Sequence, residues 1–383
     1  MDKNLKKSER PLKAINRRRI LAAAAALAPA AFAKGVLADG WTELYYAQKL
    51  TSQPSPKRRP KSDALLDIHL HDMPSKPIFD GPTIIVKPKD NWKAIIQNIK
   101  KDGTNVGFAP GDYSQMPGDK YRLRNDVSIR RSIRLFALDP ANPPKFFGNK
   151  PGASKASKGL FNTMPELRDK WLVIEGFYVD TVRNSSGNGG LVRGQGGNVW
   201  LENIKAVNCH TLCLSRTLDD NAKFVAIGCD CTNVGDHSGR AHGVYIDGAH
   251  CYIENCTFIT NNNAIGHAIK SLAAITTVRN CILGNEESRM SYMIDITSGG
   301  GVLVEKNRLI NGTHSDNPSV INYSQDRGDH PGDHIYVRNN EAINYYNKYV
   351  ANFIINRVPT VTPFTENNTL INHGLGFVEV RGS

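Results

Sequence analysis

Asp247, Lys270 and Asp295 each follow an isoleucine (Ile246, Ile269 and Ile294), at intervals of 23 and 25 residues. A lysine between two carboxylates can bind an anion, stabilise developing negative charge, or take a proton once it is neutral. The last role requires its ordinary pKa, about 10.4, to fall. Flanking carboxylates oppose that fall, whereas a divalent cation held by them would favour it. Five of the 11 histidines crowd between His210 and His267. His242 and His267 lie near the three charged positions, and Asp236, Arg240 and Tyr245 lie just upstream. Arg327 and His330 belong to a polar stretch, Thr313 to His334, that interrupts the pattern described next. A cross-strand ion pair on a solvated face is the plain alternative for the Asp–Lys–Asp set.

These residues become neighbours only if the chain coils evenly. A short motif (apolar, polar, then Asn or Gly) supplies the reason. Its third positions are Gly176, Asn203, Gly228, Asn255, Asn280, Lys306, Asn339 and Asn367. They recur every 25 to 28 residues, with one interval of 33 before Asn339. Such a repeat is one supersecondary unit stacked on its neighbours. Between the Asn/Gly positions lie short Val-, Ile- and Phe-rich runs and turn residues, which is strand composition. Asn and Gly tolerate the left-handed backbone of a tight bend. The reading is an all-β chain, a right-handed parallel β-helix, in which the residue after each column isoleucine faces outward. Asp247, Lys270 and Asp295 would then stand about 4.8 Å apart on adjacent coils. Cys229, Cys256 and Cys281 each follow the bend residue and should stack as a thiol ladder. A disulfide between coils also fits that spacing. A helix capped by Asp90, with Trp92, Ile95, Ile96 and Ile99 on one face, would plug the N-terminal end.

Three segments are expected: a signal over residues 1–38, a linker or surface arm over 39–80, and the β-helix domain over 81–383. Arg17-Arg18-Arg19 precedes an apolar stretch, Ile20 to Ala33, that ends in small residues. It is shorter than the roughly 20 residues of a membrane span and resembles a twin-arginine export signal. That resemblance implies passage through the twin-arginine translocase and a periplasmic or secreted protein, not a transmembrane one. Residues 1–38 carry nine Lys/Arg and two Asp/Glu, hence seven of the formal +12 net charges. The remainder is too weakly basic to argue for nucleic acid.

The coil repeat, the plug helix and Pro110-Gly111-Asp112-Tyr113 resemble the pectin-lyase-like superfamily over residues 81–375. Gly266-His267-Ala268-Ile269-Lys270-Ser271 is similar to the lysine-bearing strand of β-helix polysaccharide lyases. Asp236-His237-Ser238-Gly239-Arg240-Ala241-His242-Gly243 is similar to the Asp/His/Arg strand of mannuronan C5-epimerases. The resemblance implies a lyase acting on a uronate-containing polysaccharide by β-elimination. It implies catalytic roles for Lys270, His267, His242 and Arg240, and substrate contacts from Tyr245, Arg327 and His330. It also implies a Ca²⁺ held by Asp247, Asp295 and Asp236. The chain departs from the lyase pattern where an arginine is expected on the next coil and Asp295 stands instead. A C5-epimerase, a glycoside hydrolase and a non-catalytic exopolysaccharide-binding β-helix are the alternatives.

Overall fold

The computed structural model describes residues 52–54, 68–114, 127–148, 159–184, 187–215, 220–260, 264–327, 330–346, 352–373 and 378–380. The described residues belong to the larger of the chain's two units, residues 52–383. The expected signal segment lies outside the described residues.

Strands of the larger unit stack into three long sheets. Sheet B has 11 strands, from Thr83–Val86 to Phe364–Glu366. Sheet A also has 11, and sheet C has 10, ending in Val378–Val380. Each coil passes from B to A to C, and each strand pairs in parallel with its counterparts one coil away. The exception is Ser52–Pro54, which joins the end of sheet A antiparallel to Thr369–Ile371. The chain is a right-handed parallel β-helix.

The bend between sheets B and A explains the repeat. Asn203, Asn255, Asn280, Asn339 and Asn367 all have φ between 50° and 56°, and Lys306 has 57°. Gly176 and Gly228 occupy the same bend at 71° and 62°. Each of these eight bends takes a left-handed residue, a conformation that Gly and Asn accept most cheaply.

The position after the bend points inward. The Cys229 N–H donates to Cys256 Sγ at 3.4 Å. The ladder then changes chemistry. The Cys281 N–H meets Asn307 Oδ1 at 2.9 Å, and Asn307 Nδ2 donates to Asn340 Oδ1 at 3.0 Å. Asn340 Nδ2 continues to Asn368 Oδ1 at 2.8 Å. All seven cysteines are free, buried thiols, and burial pushes the Cys209 and Cys251 thiols up to about 12.

The N-terminal end is filled by aromatic rings. Trp92 packs edge-on against Phe146, which stacks on Phe177 with centroids 5.2 Å apart. Trp92 opens the helix α1 (Trp92–Gln97), whose cap is Asn91 and not Asp90. Asn91 Oδ1 accepts the Ala94 N–H, while Asp90 accepts the Lys87 N–H. Each fully buried ring of this block contributes about 2 kcal/mol of apolar burial.

Candidate active site on the outer face of sheet C

The expected column exists, with one member exchanged. Along sheet C the register runs Arg193, Leu214, Tyr245, Lys270, Asp295, Asn322 and Ile355. Tyr245, not Asp247, is the neighbour of Lys270. The inward partner of Ile269 is Val244, not Ile246. The correction was available from spacing, because Val244, Ile269 and Ile294 are each 25 residues apart. Repeated Ile-Asp and Ile-Lys pairs mimicked a register that the coil length contradicts. Further along, Ile355 takes the column position opposite Asn322, and Asn356 turns inward.

Asp295 is the centre of the site. Lys270 Nζ donates to its Oδ2 at 2.6 Å, and His267 Nε2 lies 3.1 Å from the same oxygen. Asn322 Nδ2 donates to its Oδ1 at 2.7 Å. The carboxylate is 2 % exposed, although it lies on the outside of the solenoid. Burial pushes its pKa up, but the hydrogen bonds from His267 and Lys270 and the positive charge of Lys270 outweigh burial and hold it below the usual carboxylate range. Three coils thus fix one ionised group.

A second column flanks the first. The rings of His242 and His267 stack at 4.7 Å with 7° between planes, and Tyr292 stacks on His267 at 5.3 Å. The backbone fixes both imidazoles. The His267 N–H donates to His242 Nδ1 at 3.1 Å, and the Tyr292 N–H donates to His267 Nδ1 at 3.2 Å. A ring nitrogen that accepts an N–H carries no proton, so each neutral ring is protonated at Nε2. His267 therefore donates to Asp295, and its remaining lone pair is occupied. Burial, then the nearby His267 and Lys270, push His242 well below its ordinary value. In this arrangement neither ring presents a free lone pair to a ligand.

The other expected residues lie apart. Asp236 accepts from the backbone of Ser238 and Ala241 and from the Ser238 hydroxyl, which closes its own turn. Arg240 is exposed on that turn. Asp247 lies two residues beyond Tyr245 and accepts the Gly248 N–H at 2.9 Å. Arg327 is exposed in the interrupting segment, where its N–H meets the Thr297 carbonyl at 3.0 Å. His330 Nε2 donates to the Leu272 carbonyl at 3.1 Å, at the end of the Lys270 strand. The extra residues of that coil are concentrated in the turn between Ile321–Tyr323 of sheet C and Gly332–Arg338 of sheet B. Asp236, Asp247 and Asp295 are not brought together: each accepts from different donors. Among the described residues no three His, Cys, Asp or Glu side chains converge as a metal site. Asn322 and Tyr292 were not among the expected site residues. Asn322 carried a signal, since it follows Ile321 in the same isoleucine series.

No family model matches the chain, and no curated protein matches it. Solved structures do. "PL6 family alginate lyase AlyGC" is 12% identical with a TM-score of 0.38, over 78% of this chain and 41% of that one. "Pectate lyase Pel9A" is 11% identical with a TM-score of 0.41, over 76% and 79%. "Geobacillus virus E2 - ORF18" is 13% identical with a TM-score of 0.37, over 70% and 52%. The chain spans only 41% of the alginate lyase's length. With its three stacked sheets and one-coil register, the chain is a right-handed parallel β-helix protein.

Proposed function

We propose that the chain is an exported carbohydrate-active enzyme, a polysaccharide lyase that cleaves an acidic, uronate-containing polymer at the outer face of sheet C. The observation that carries the reading is the Lys270–Asp295 pair, held by His267 and Asn322 on the outer face of sheet C. A buried, over-determined ion pair on the outside of a solenoid is costly unless its geometry is used.

β-Elimination needs three things: positive charge at the uronate carboxylate, removal of the carbon-5 proton, and release of the 4-oxygen. Lys270 supplies the first. Its ammonium meets Asp295 with one N–H, which leaves donors for a substrate carboxylate. Charge held there acidifies the adjacent carbon and stabilises the enolate as it forms. Lys270 donates to Asp295, so it acts here as a fixed cation and not as the base. The tautomers of His242 and His267 leave them as donors. Tyr245, next on the column and T-shaped against His242 with centroids 5.6 Å apart, takes the carbon-5 proton as its phenolate and passes it to the departing 4-oxygen as the C4–O bond breaks. Its ring centroid lies 5.9 Å from Lys270 Nζ.

The test is incubation with a panel of uronate polymers, read by the ultraviolet absorbance of unsaturated chain ends. Lys270→Ala should lower turnover by about a thousandfold, the scale of one lost charge-stabilising group. Lys270→Arg should keep a measurable part of it. Loss of all turnover in the arginine variant would make Lys270 the base instead. Proton exchange without cleavage would identify an epimerase, new reducing ends without unsaturation a hydrolase, and binding alone a non-catalytic β-helix.

A further inference from the structure

Residues 68–80 run as a strap down the outer face of sheet B. Near its start, His71 is fully buried, with Nδ1 2.9 Å from Thr277 Oγ1 and Nε2 2.6 Å from His334 Nε2. Further on, Lys76 Nζ lies 2.8 Å from Glu175 and 2.5 Å from Glu202, several coils nearer the N-terminal end. Phe79 then packs on the outer cluster of Val173, Trp200, Val225 and Tyr252. The strap thus has three anchors of different chemistry: histidine, ion pair and apolar ring.

The histidine anchor holds one proton per contact. Thr277 Oγ1 lies 2.9 Å from His71 Nδ1 and 3.3 Å from His250 Nε2, and its hydroxyl can donate to one and accept from the other. Across the 2.6 Å between His71 Nε2 and His334 Nε2, one nitrogen donates and the other accepts. A proton on both would set two N–H groups against each other at that distance. Asp333 Oδ1 lies 3.2 Å from His334 Nδ1, on the far side of that ring.

We propose that the His71–His334 contact is an acid-released latch that fastens the first part of this strap to sheet B. The charged groups around it favour release. His334, His250, Arg279 and Arg338 all face His71 with positive or potentially positive charge. Lys223 adds its charge beside His250. Of the nearby carboxylates, Glu305 is engaged by both Arg279 and Arg338, and Asp333 lies at the far side of His334. Burial, then these neighbours, push His71 down to about 3 and His250 to about 4. The sign is that of a depressed base. Docking is at full strength above the free imidazole value of about 6.5 and weakens as pH falls toward 3. The Lys76 anchor keeps its charge over the upper part of that window. Burial pushes the Glu175 carboxyl up, but its hydrogen bonds to Arg134 and Lys76 outweigh burial and hold it below its ordinary value.

Release should therefore be local and start at the His71 end. Hydrogen exchange of the full chain, corrected for the intrinsic pH dependence of exchange, tests this between neutral pH and pH about 5. Exchange at residues 69–74 should rise about tenfold or more, following the linkage of one neutral histidine. Residues 76–80 should stay protected. His71→Gln keeps an N–H for His334 and cannot charge, so it should remove the pH step. An equal step in His71→Gln, no step in the wild type, or a rise spread evenly over 69–80 would overturn the latch. Should His71→Gln leave the strap undocked at neutral pH, His334→Gln decides. Exchange independent of pH in that variant supports the latch, and a retained step refutes it. The result does not depend on whether the sheet C site is catalytic.

Discussion

On sheet B the outer column Glu254, Arg279, Glu305, Arg338 and Glu366 alternates in sign from coil to coil. On sheet C the column Tyr245, Lys270, Asp295 and Asn322 holds one cation and one anion. Both faces bury a carboxylate, Glu305 on one and Asp295 on the other. Glu305 receives two guanidiniums, Arg279 at 3.3 Å and Arg338 at 2.7 Å. Asp295 receives three different donors, and its single formal cation has one committed N–H. The first arrangement neutralises charge between coils. The second aims a charge, because the anion is over-satisfied and the cation is not. The strap marks the same contrast: it lies along sheet B.

Removing each carboxylate separates the two faces. Asp295→Ala should lower turnover by about a thousandfold, measured on the polymer that the wild type cleaves, because Lys270 loses its position. Unchanged turnover would mean that the sheet C pair is only structural. Glu305→Ala should leave turnover intact yet cost about 3 kcal/mol by stranding two cations, read from denaturant midpoints. A cost below the error of that measurement would show that the sheet B column is a solvated stripe. Asn340→Ala cuts the internal amide ladder and leaves the Asn307 backbone N–H without its acceptor, while Asn307 Nδ2 keeps the Val278 carbonyl, for a loss of about 2 kcal/mol by the same assay.

Acid sharpens the comparison further. Asp295 has a depressed pKa, so its stabilisation is present above the usual carboxylate range and is lost as pH falls through the depressed value. Thermal midpoints of Asp295→Asn should therefore fall less steeply than those of the wild type at acid pH. Parallel curves would place the acid sensitivity elsewhere. The smallest effect concerns the thiols: all seven should resist a thiol reagent in the native protein and react on unfolding, because all are buried away from solvent.

The coil was legible because its bend demands a left-handed residue on each turn, and only a few residue types accept that conformation cheaply. The Cys229, Cys256 and Cys281 stack was legible from the same register. Lys270 and Asp295 were found as neighbours for that reason. Asp247 was misplaced because residue identity was followed where coil length should have decided. The capping shift from Asp90 to Asn91 is a one-residue error of the usual kind, since both side chains can cap. The histidine tautomers could not be read from sequence, because they depend on which backbone N–H faces each Nδ1.

The amino-acid sequence by itself determined that this chain coils, how long each coil is, and that charged residues far apart in sequence meet along one face. Those properties follow from local backbone preference repeated many times. The tertiary structure decided which residue faces which across adjacent coils, that Asp295 is fixed by three coils, and that His71 from the strap reaches His334. Such contacts are set by turn lengths and by packing between distant segments, and no local preference encodes them.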